Sequence, residues 1–497
     1  MAVTSGLSVS ADLSAARSPW ALSLPLGLGL VLFICLANAD GLPLLADPDS
    51  HWHIAVGNWI FAHRAVPVVD TFSFTFNGAP WIAKEWLSQL LLALAFESAG
   101  WAGVVVLSAA ALAVGFALML RLLLRDLNPL PALLFVAAAI IMMAPHFLAR
   151  PHALVFPVTL LWVAGLVRAV EERRAPEPVL LLAMLLWANL HGGFTLGLML
   201  AAAFALDALV GARDATERKS LFFAWAKFGV AAGLVACITP YGAESILVTS
   251  RIFSLGDALN MISEWRSPDF QNQPMQEIVV LVALYLVLAR GVRLPLIRLL
   301  IVLGLVHLYL RHARNAELLA TLAPLVIAPL LALQFPAVRR DANAPGRFAA
   351  LAQPAGPGAL SLALVVGLLY SGVLVRLGEV TPPGATMPHA ALDWARGAGL
   401  ANRPVFNHYN YGGYLIRAGV PTYIDGRGEL YSGEFIKQFN HAQNLRGDVK
   451  LDELLDRHGV EWTFLTRDAP ANKLLARLPG WRQAYSDDDA TIFVRER

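Results

Sequence analysis

The chain has 497 residues, 57% of them hydrophobic and only 15% charged, with a mean hydropathy of +0.58. A soluble domain averages about 45–50% apolar and about 25% charged residues, so this composition excludes a soluble enzyme, a disordered chain and a secreted disulfide scaffold. It points to a polytopic membrane protein, and a net charge of +2 (38 basic against 36 acidic residues) offers no basic field for nucleic acid.

A hydrocarbon core about 30 Å thick needs about 20 apolar residues per helix. Eleven candidate spans follow in chain order: 20–38, 101–124, 131–148, 152–170, 178–190, 193–211, 221–239, 275–290, 294–310, 316–335 and 358–377. The segments 178–190 and 275–290 are short. The first of these ends at His191-Gly192-Gly193, which reads as a helix break at membrane depth. Such a break survives only where it is buried in protein or lines a wet cavity. Cys35 and Cys237 both lie in apolar stretches and suggest neither a disulfide nor a metal site.

With the N-terminus cytoplasmic, the inner loops hold fifteen Lys and Arg residues and the outer loops before the tail hold seven. That bias orients the chain N-in and C-out. Residues 17–39 also resemble a signal peptide, with Arg17, an apolar run and Ala37-Asn38-Ala39, and either reading leaves 40–100 outside. The expected organisation is a cytoplasmic N-terminus (1–19) and a transmembrane domain (20–378) with a large first outer loop (39–100). A Pro/Gly-rich linker (379–388) and an extracytoplasmic α/β domain (389–497) follow. The expected fold class is mainly α, a polytopic transmembrane helix bundle of about eleven spans with a small C-terminal α/β domain outside the membrane.

In the first outer loop, Asp47 and Asp49 flank Pro48. A helix starting near Asp49 places Asp49, His53, Gly57 and Ile60 on one face. Trp52, Trp59, Trp81 and Trp86 supply an interfacial aromatic belt, so this helix is expected along the membrane surface. Glu85 opens the next amphipathic stretch. Two carboxylates here suit glycosyl transfer, which needs a base for the acceptor proton and positive charge or a metal at the phosphate leaving group. The plainer reading of either Asp is a helix N-cap.

The orientation gathers the unusual polar residues on one side. These are Asp47, Asp49, His51, His53 and Glu85, then Arg150 with His152, then His191 and Tyr241. Glu264, Arg266 and Asp269 follow, and after them Arg311, His312, Arg314 and Asn315. Acids, His and Arg drawn from six segments fit an anionic, membrane-borne substrate, with Arg for phosphate and a carboxylate as base. No cofactor is certain. A divalent metal, Mg or Mn, on Asp47 and Asp49 is the weaker branch, since neighbouring residues i and i+2 diverge on a helix.

In the tail, RPVFNHY reads as a strand, GGYLIRAG as a short helix and PTYIDGR as a strand ending at a charged tip. VKLDELLDRHG reads as an amphipathic helix, and EWTFLT and ATIFVRE as strands. Gly412 and Gly413 permit close backbone approach after Tyr411. Tyr411, Asp425 and Arg427 are therefore candidates for contact with the acceptor, the alternative being a turn at Gly426.

These residues resemble the GT-C superfamily of integral-membrane glycosyltransferases, among them protein O-mannosyltransferases, lipid A aminoarabinose transferases and oligosaccharyltransferase catalytic subunits. The likeness rests on the long first outer loop with Asp47-Pro48-Asp49, the many-spanning core and the outer C-terminal domain. A closer likeness, to bacterial membrane proteins of that type, rests on Asp47, Asp49, Trp52, His53, Gly57, Ile60, Pro67, Asp70, Phe72, Ser73, Glu85, Trp86 and Leu87 in the first loop. In the tail it rests on the stretch Asn407 to Leu415 and on Asp425-Gly426-Arg427. No W-W-D-Y-G-type motif is present; Asn410-Tyr411-Gly412-Gly413-Tyr414 is a faint echo.

The resemblance implies transfer of a sugar from a polyprenyl-phosphate donor to an extracytoplasmic glycan, lipid or protein, in the bacterial inner membrane. Asp47, Asp49 and Glu85 would be catalytic. His51, His53, Arg150, His152, His191, Tyr241, Glu264, Arg266, Arg311, Arg314, Asn315, Tyr411, Asp425 and Arg427 would bind substrate. A flippase for lipid-linked glycan, favoured by the break at His191, and a non-catalytic membrane scaffold are the alternatives.

Overall fold

The computed structural model describes residues 18–38, 44–341, 347–377 and 380–496. Helices occupy each of the eleven expected segments. Among the described residues, six helices are long and apolar enough to cross a membrane: Trp86–Leu123, Pro129–His146, Pro151–Glu171, Ala215–Ala236, Ala313–Gln334 and Pro357–Leu377. Leu24–Leu36, Leu181–Leu190, Phe194–Val210, Pro274–Arg290 and Leu296–Arg311 are shorter. The chain is a multi-pass membrane protein. The helix Pro357–Leu377 leaves Leu360, Leu362, Leu364, Leu368 and Leu369 facing outward, as lipid rather than water would allow.

Two breaks shape the surface that carries the polar residues. The helix Trp86–Leu123 is interrupted at Ala99 and Gly100, so an amphipathic piece meets an apolar one at an elbow. The helix Leu181–Leu190 stops at His191, whose backbone is extended, and Phe194 starts the next helix. The break expected at His191-Gly192-Gly193 is therefore present. It is buried against protein: Trp86 donates its indole N–H to Asn189 Oδ1 (2.8 Å), and Ser88 Oγ donates to the Leu190 carbonyl (2.6 Å).

The first loop contains the helix Asp49–His63, with Asp49 as its first residue as the sequence spacing predicts. Ile54 joins the core of the membrane helices, while Trp52, Val56 and Ile60 join a second core. That second core includes Phe406, Tyr423, Ile424, Tyr431, Ile436 and Phe439 of the tail and Leu255 and Leu259 of the segment between. The tail therefore does not bury its apolar residues alone.

A four-stranded sheet runs through the tail in the order β1-β2-β4-β3, formed by β1 (Val405–Asn407), β2 (Trp462–Thr466), β3 (Trp481–Ser486) and β4 (Ala490–Arg495). β1 and β2 are parallel; β4 is antiparallel to both of its neighbours. The helices Gly412–Arg417 and Leu451–Arg457 lie where the sequence placed them. The strand expected at PTYIDGR does not form. Asn407 takes the place of a partner strand: its Oδ1 accepts from the Tyr423 N–H (2.8 Å) and its Nδ2 donates to the Ile424 carbonyl (2.8 Å). The segment also meets the first loop, where Phe74 N–H donates to the Thr422 carbonyl (3.0 Å) and Thr75 Oγ1 to the Tyr423 carbonyl (2.7 Å).

Candidate active site

Arg150 is the centre of the site. It precedes the helix Pro151–Glu171 with an extended backbone, and Pro151 presets the helical φ of the first turn. The loop that carries it is tied to the first loop: Ala149 N–H donates to the Leu44 carbonyl (2.8 Å), and Ser50 Oγ donates to the Ala149 carbonyl (2.9 Å). These bonds bring Asp47 and Asp49 to the guanidinium. Arg150 pairs with Asp49, with Asp47 at 3.2 Å and with Glu264 at 2.7 Å. Glu264 in turn bridges to Arg314 at 2.8 Å, and the Arg314 guanidinium lies 4.6 Å from the Trp265 ring centre.

Asp47 carries part of the cap reading. Its Oδ1 accepts from the Asp49 N–H (2.6 Å), while the N-cap position itself belongs to Pro48. Asp49 makes no such cap bond and turns its carboxylate to Arg150. Burial raises the Asp49 pKa to about 8 against the attraction of Arg150, with the charges of Asp47 and Glu264 adding to the rise. Asp47 is also raised, mainly by burial. Burial would raise Glu264 as well, but Arg150 and Arg314 hold it well below the usual carboxylate range.

A second buried group adjoins the first. Glu85 faces His53 Nε2 at 3.9 Å and His191 Nε2 at 3.5 Å. Burial raises the Glu85 carboxyl and holds His53 neutral, its pKa well below the ordinary value. Beside them Lys84 pairs with Glu429 of the tail at 3.3 Å.

The tail closes directly on Asp49. Gly426 has no room for a side chain: a β-carbon there would overlap Asp49 Oδ1 and come within 3.0 Å of Trp52 Nε1. Gly413 likewise abuts the Pro48 carbonyl. Both glycines are required by close approach rather than by backbone angle.

Asp425 and Arg427 are not at an exposed tip. Both are completely buried, and Arg427 joins Asp425 (2.8 Å) to Asp70 of the first loop (2.6 Å). Tyr431 donates its hydroxyl to Asp425 (2.6 Å), and the guanidinium lies 5.2 Å and 4.8 Å from the ring centres of Phe72 and Trp81. With all its sides occupied by protein, this pair fastens tail to loop and leaves no edge for an acceptor. Tyr411 is similarly internal, donating to the Asp489 carbonyl (2.6 Å).

Of the other candidates, Tyr241 is a brace. Its hydroxyl donates to the Pro67 carbonyl (2.9 Å) and accepts from the Ala83 N–H (3.0 Å). His152 donates to the His146 carbonyl (2.9 Å), next to Arg150. Asn315 donates to the Leu308 carbonyl (3.0 Å), closing a helix end. Arg266 donates to the Asn260 carbonyl (2.8 Å) rather than pairing with Glu264, and Arg311 is exposed. His51 sits apart from the carboxylates, accepting from Arg417 (3.0 Å).

Sequence reasoning missed Tyr409, whose half-buried phenol lies in the field of Asp49 and Glu264, as well as Lys84 and Arg417. The lysine carried no spacing signal, because its partner Glu429 is far away in the chain. A metal does not fit the acidic pair as placed. The guanidinium of Arg150 fills the seat between Asp47 and Asp49, and among the described residues no group of three or more His, Cys, Asp or Glu converges to hold an ion.

No protein family model matches the sequence, and no curated protein matches it. Solved structures do. ArnT from Cupriavidus metallidurans bound to undecaprenyl phosphate superposes with a TM-score of 0.51 at 13% identity, over 95% of this chain and 97% of that one. Its apo form gives 0.51 at 14% identity over the same shares. The archaeal oligosaccharyltransferase AglB from Archaeoglobus fulgidus gives 0.43 at 10% identity, over 89% of this chain and 69% of that one. From its first loop to its C-terminal sheet, the chain has the GT-C fold.

Proposed function

We propose that the chain is a membrane glycosyltransferase that moves a sugar from a polyprenyl-phosphate donor to an acceptor outside the cytoplasm. The observation that carries the reading is the half-buried cluster in which Arg150 joins Asp49, Asp47 and Glu264 where loop, membrane helices and tail meet. It is supported by the shared fold with ArnT, whose structure was solved with undecaprenyl phosphate bound.

The donor phosphate engages Arg150 and Arg314, displacing the carboxylates that now neutralise them. Asp49, released from Arg150, takes the proton of the acceptor hydroxyl. The acceptor oxygen then bonds to the anomeric carbon. The bond from that carbon to the phosphate oxygen breaks, and its electron pair leaves with the lipid phosphate, whose added charge the two arginines stabilise. A base with a pKa near the operating pH is better than an ordinary aspartate, and burial supplies that shift in Asp49. Glu85, His53 and His191 form the adjoining wall, where neutral imidazoles suit sugar hydroxyls. The loop-charge bias supports an orientation with loop and tail outside, and the resemblance to bacterial transferases supports the inner membrane as the location.

The test is transfer by the purified protein from radiolabelled polyprenyl-phosphate sugars. Release of label from the lipid in the presence of envelope acceptors supports the reading. Label that crosses a sealed vesicle still attached to its lipid would instead indicate a flippase.

A further inference from the structure

Arg417 ends the short helix Gly412–Arg417, which packs on the first-loop helix Asp49–His63. Its Nε donates to His51 Nδ1 at 3.0 Å, and the guanidinium lies 5.3 Å from the ring centres of Phe96 and Trp101 and 5.8 Å from that of Tyr414. Nη2 reaches only Met387 Sδ, at 3.7 Å, a weak acceptor. Among the described residues no carboxylate pairs with Arg417. His51 does not compensate either, since burial and the neighbouring Arg417 keep it neutral.

A second cation stands at the same corner: Arg396 donates to the Ala418 carbonyl (2.9 Å), and among the described residues its ion-pair partner is the exposed Asp393 at 3.7 Å. A half-buried guanidinium without an anion is costly, and ring faces offset only part of that cost.

The location supplies the missing anion. Phe96 and Trp101 flank the elbow at Ala99 and Gly100, where the apolar part of the helix Trp86–Leu123 begins. Aromatic residues are enriched at such boundaries, at the level of the lipid headgroups. The planar fork of an arginine matches phosphate oxygens in that layer.

We propose that Arg417, within its box of Phe96, Trp101 and Tyr414 and beside Arg396, binds the phosphate of an anionic membrane lipid. This docks the tail to the membrane surface. The site is separate from the Arg150 cluster and does not depend on the transferase reading.

The experiment is thermal unfolding of the purified full chain in detergent with short-chain phosphatidylglycerol, phosphatidylcholine, a polyprenyl phosphate or inorganic phosphate. A ligand that binds only the folded state raises the midpoint in proportion to its occupancy. Phosphatidylglycerol is expected to raise it more than phosphatidylcholine does. Arg417→Gln is expected to lose that difference. Arg417→Lys, which keeps the charge without the fork, is expected to bind about tenfold more weakly. If Arg417→Gln does not fold, the lysine variant decides alone. A response to polyprenyl phosphate that depends on Arg417 while phosphatidylglycerol is inert supports the site and assigns it to the lipid carrier. Equal shifts in wild type and both variants, equal shifts with both phospholipids, or a response to inorganic phosphate alone would overturn it.

Discussion

Gly426 of the tail lies against the carboxylate of Asp49, so closely that a β-carbon would overlap Asp49 Oδ1. The proposed base is thus walled by backbone from a segment 377 residues further along the chain. Gly426→Ala is expected to displace either Asp49 or the tail loop and to lower kcat at least tenfold, the sensitivity expected of a reacting group moved by about 1 Å. Turnover measured per folded molecule checks this; a normal rate would place Asp49 outside the chemistry.

The raised pKa of Asp49 sets a pH profile. A base works in its ionised form, so kcat/KM is expected to climb with pH and level off above about 8. The inflection belongs to the Asp47–Asp49 pair rather than to one residue. The folded state holds a proton that the unfolded chain releases near pH 4, so this group makes stability fall as pH rises from about 4 through about 8. A pH–rate series on wild type and Asp47→Asn tests both parts.

Glu264 occupies the place between Arg150 and Arg314 that the donor phosphate is proposed to take. Glu264→Gln keeps hydrogen bonding and removes the competing charge. Donor KM is expected to fall about fivefold, the size of a relieved contact of roughly 1 kcal/mol. A raised donor KM would show instead that Glu264 positions the arginines.

Arg427 is expected to matter for folding. Arg427→Met leaves Asp70 and Asp425 buried without their cation, which costs about 3–5 kcal/mol. Burial would raise Asp425, yet Arg427 holds it below the usual carboxylate range, so the loss is one of stability at neutral pH. Thermal unfolding should drop sharply while donor KM stays within a few-fold. A raised acceptor KM in a stable variant would return this pair to substrate binding.

What was legible in the sequence was local. The first-loop helix begins at Asp49 because its periodicity is written in neighbouring residues, and the break at His191 because His-Gly-Gly interrupts an apolar run. Pairings across the fold were not legible. Glu264 lies two residues from Arg266 but bonds Arg150, 114 positions away, and Arg427 reaches Asp70 across 357. PTYIDGR alternates like a strand, but the Asn407 side chain and the first loop satisfy its backbone instead. The helix Gly433–Asn444 and strand β3 also went unread, since their apolar faces become evident only against the first loop and the sheet.

The most direct measurement compares transfer from a radiolabelled polyprenyl-phosphate sugar by wild type, Asp47→Asn and Asp49→Asn, each reconstituted in membranes with insertion and folding verified. The amide keeps size and hydrogen bonding but removes the basic lone pair. Asp49→Asn is predicted to abolish transfer while donor binding through Arg150 persists. Rates within a few-fold of wild type in both variants would contradict the carboxylate mechanism.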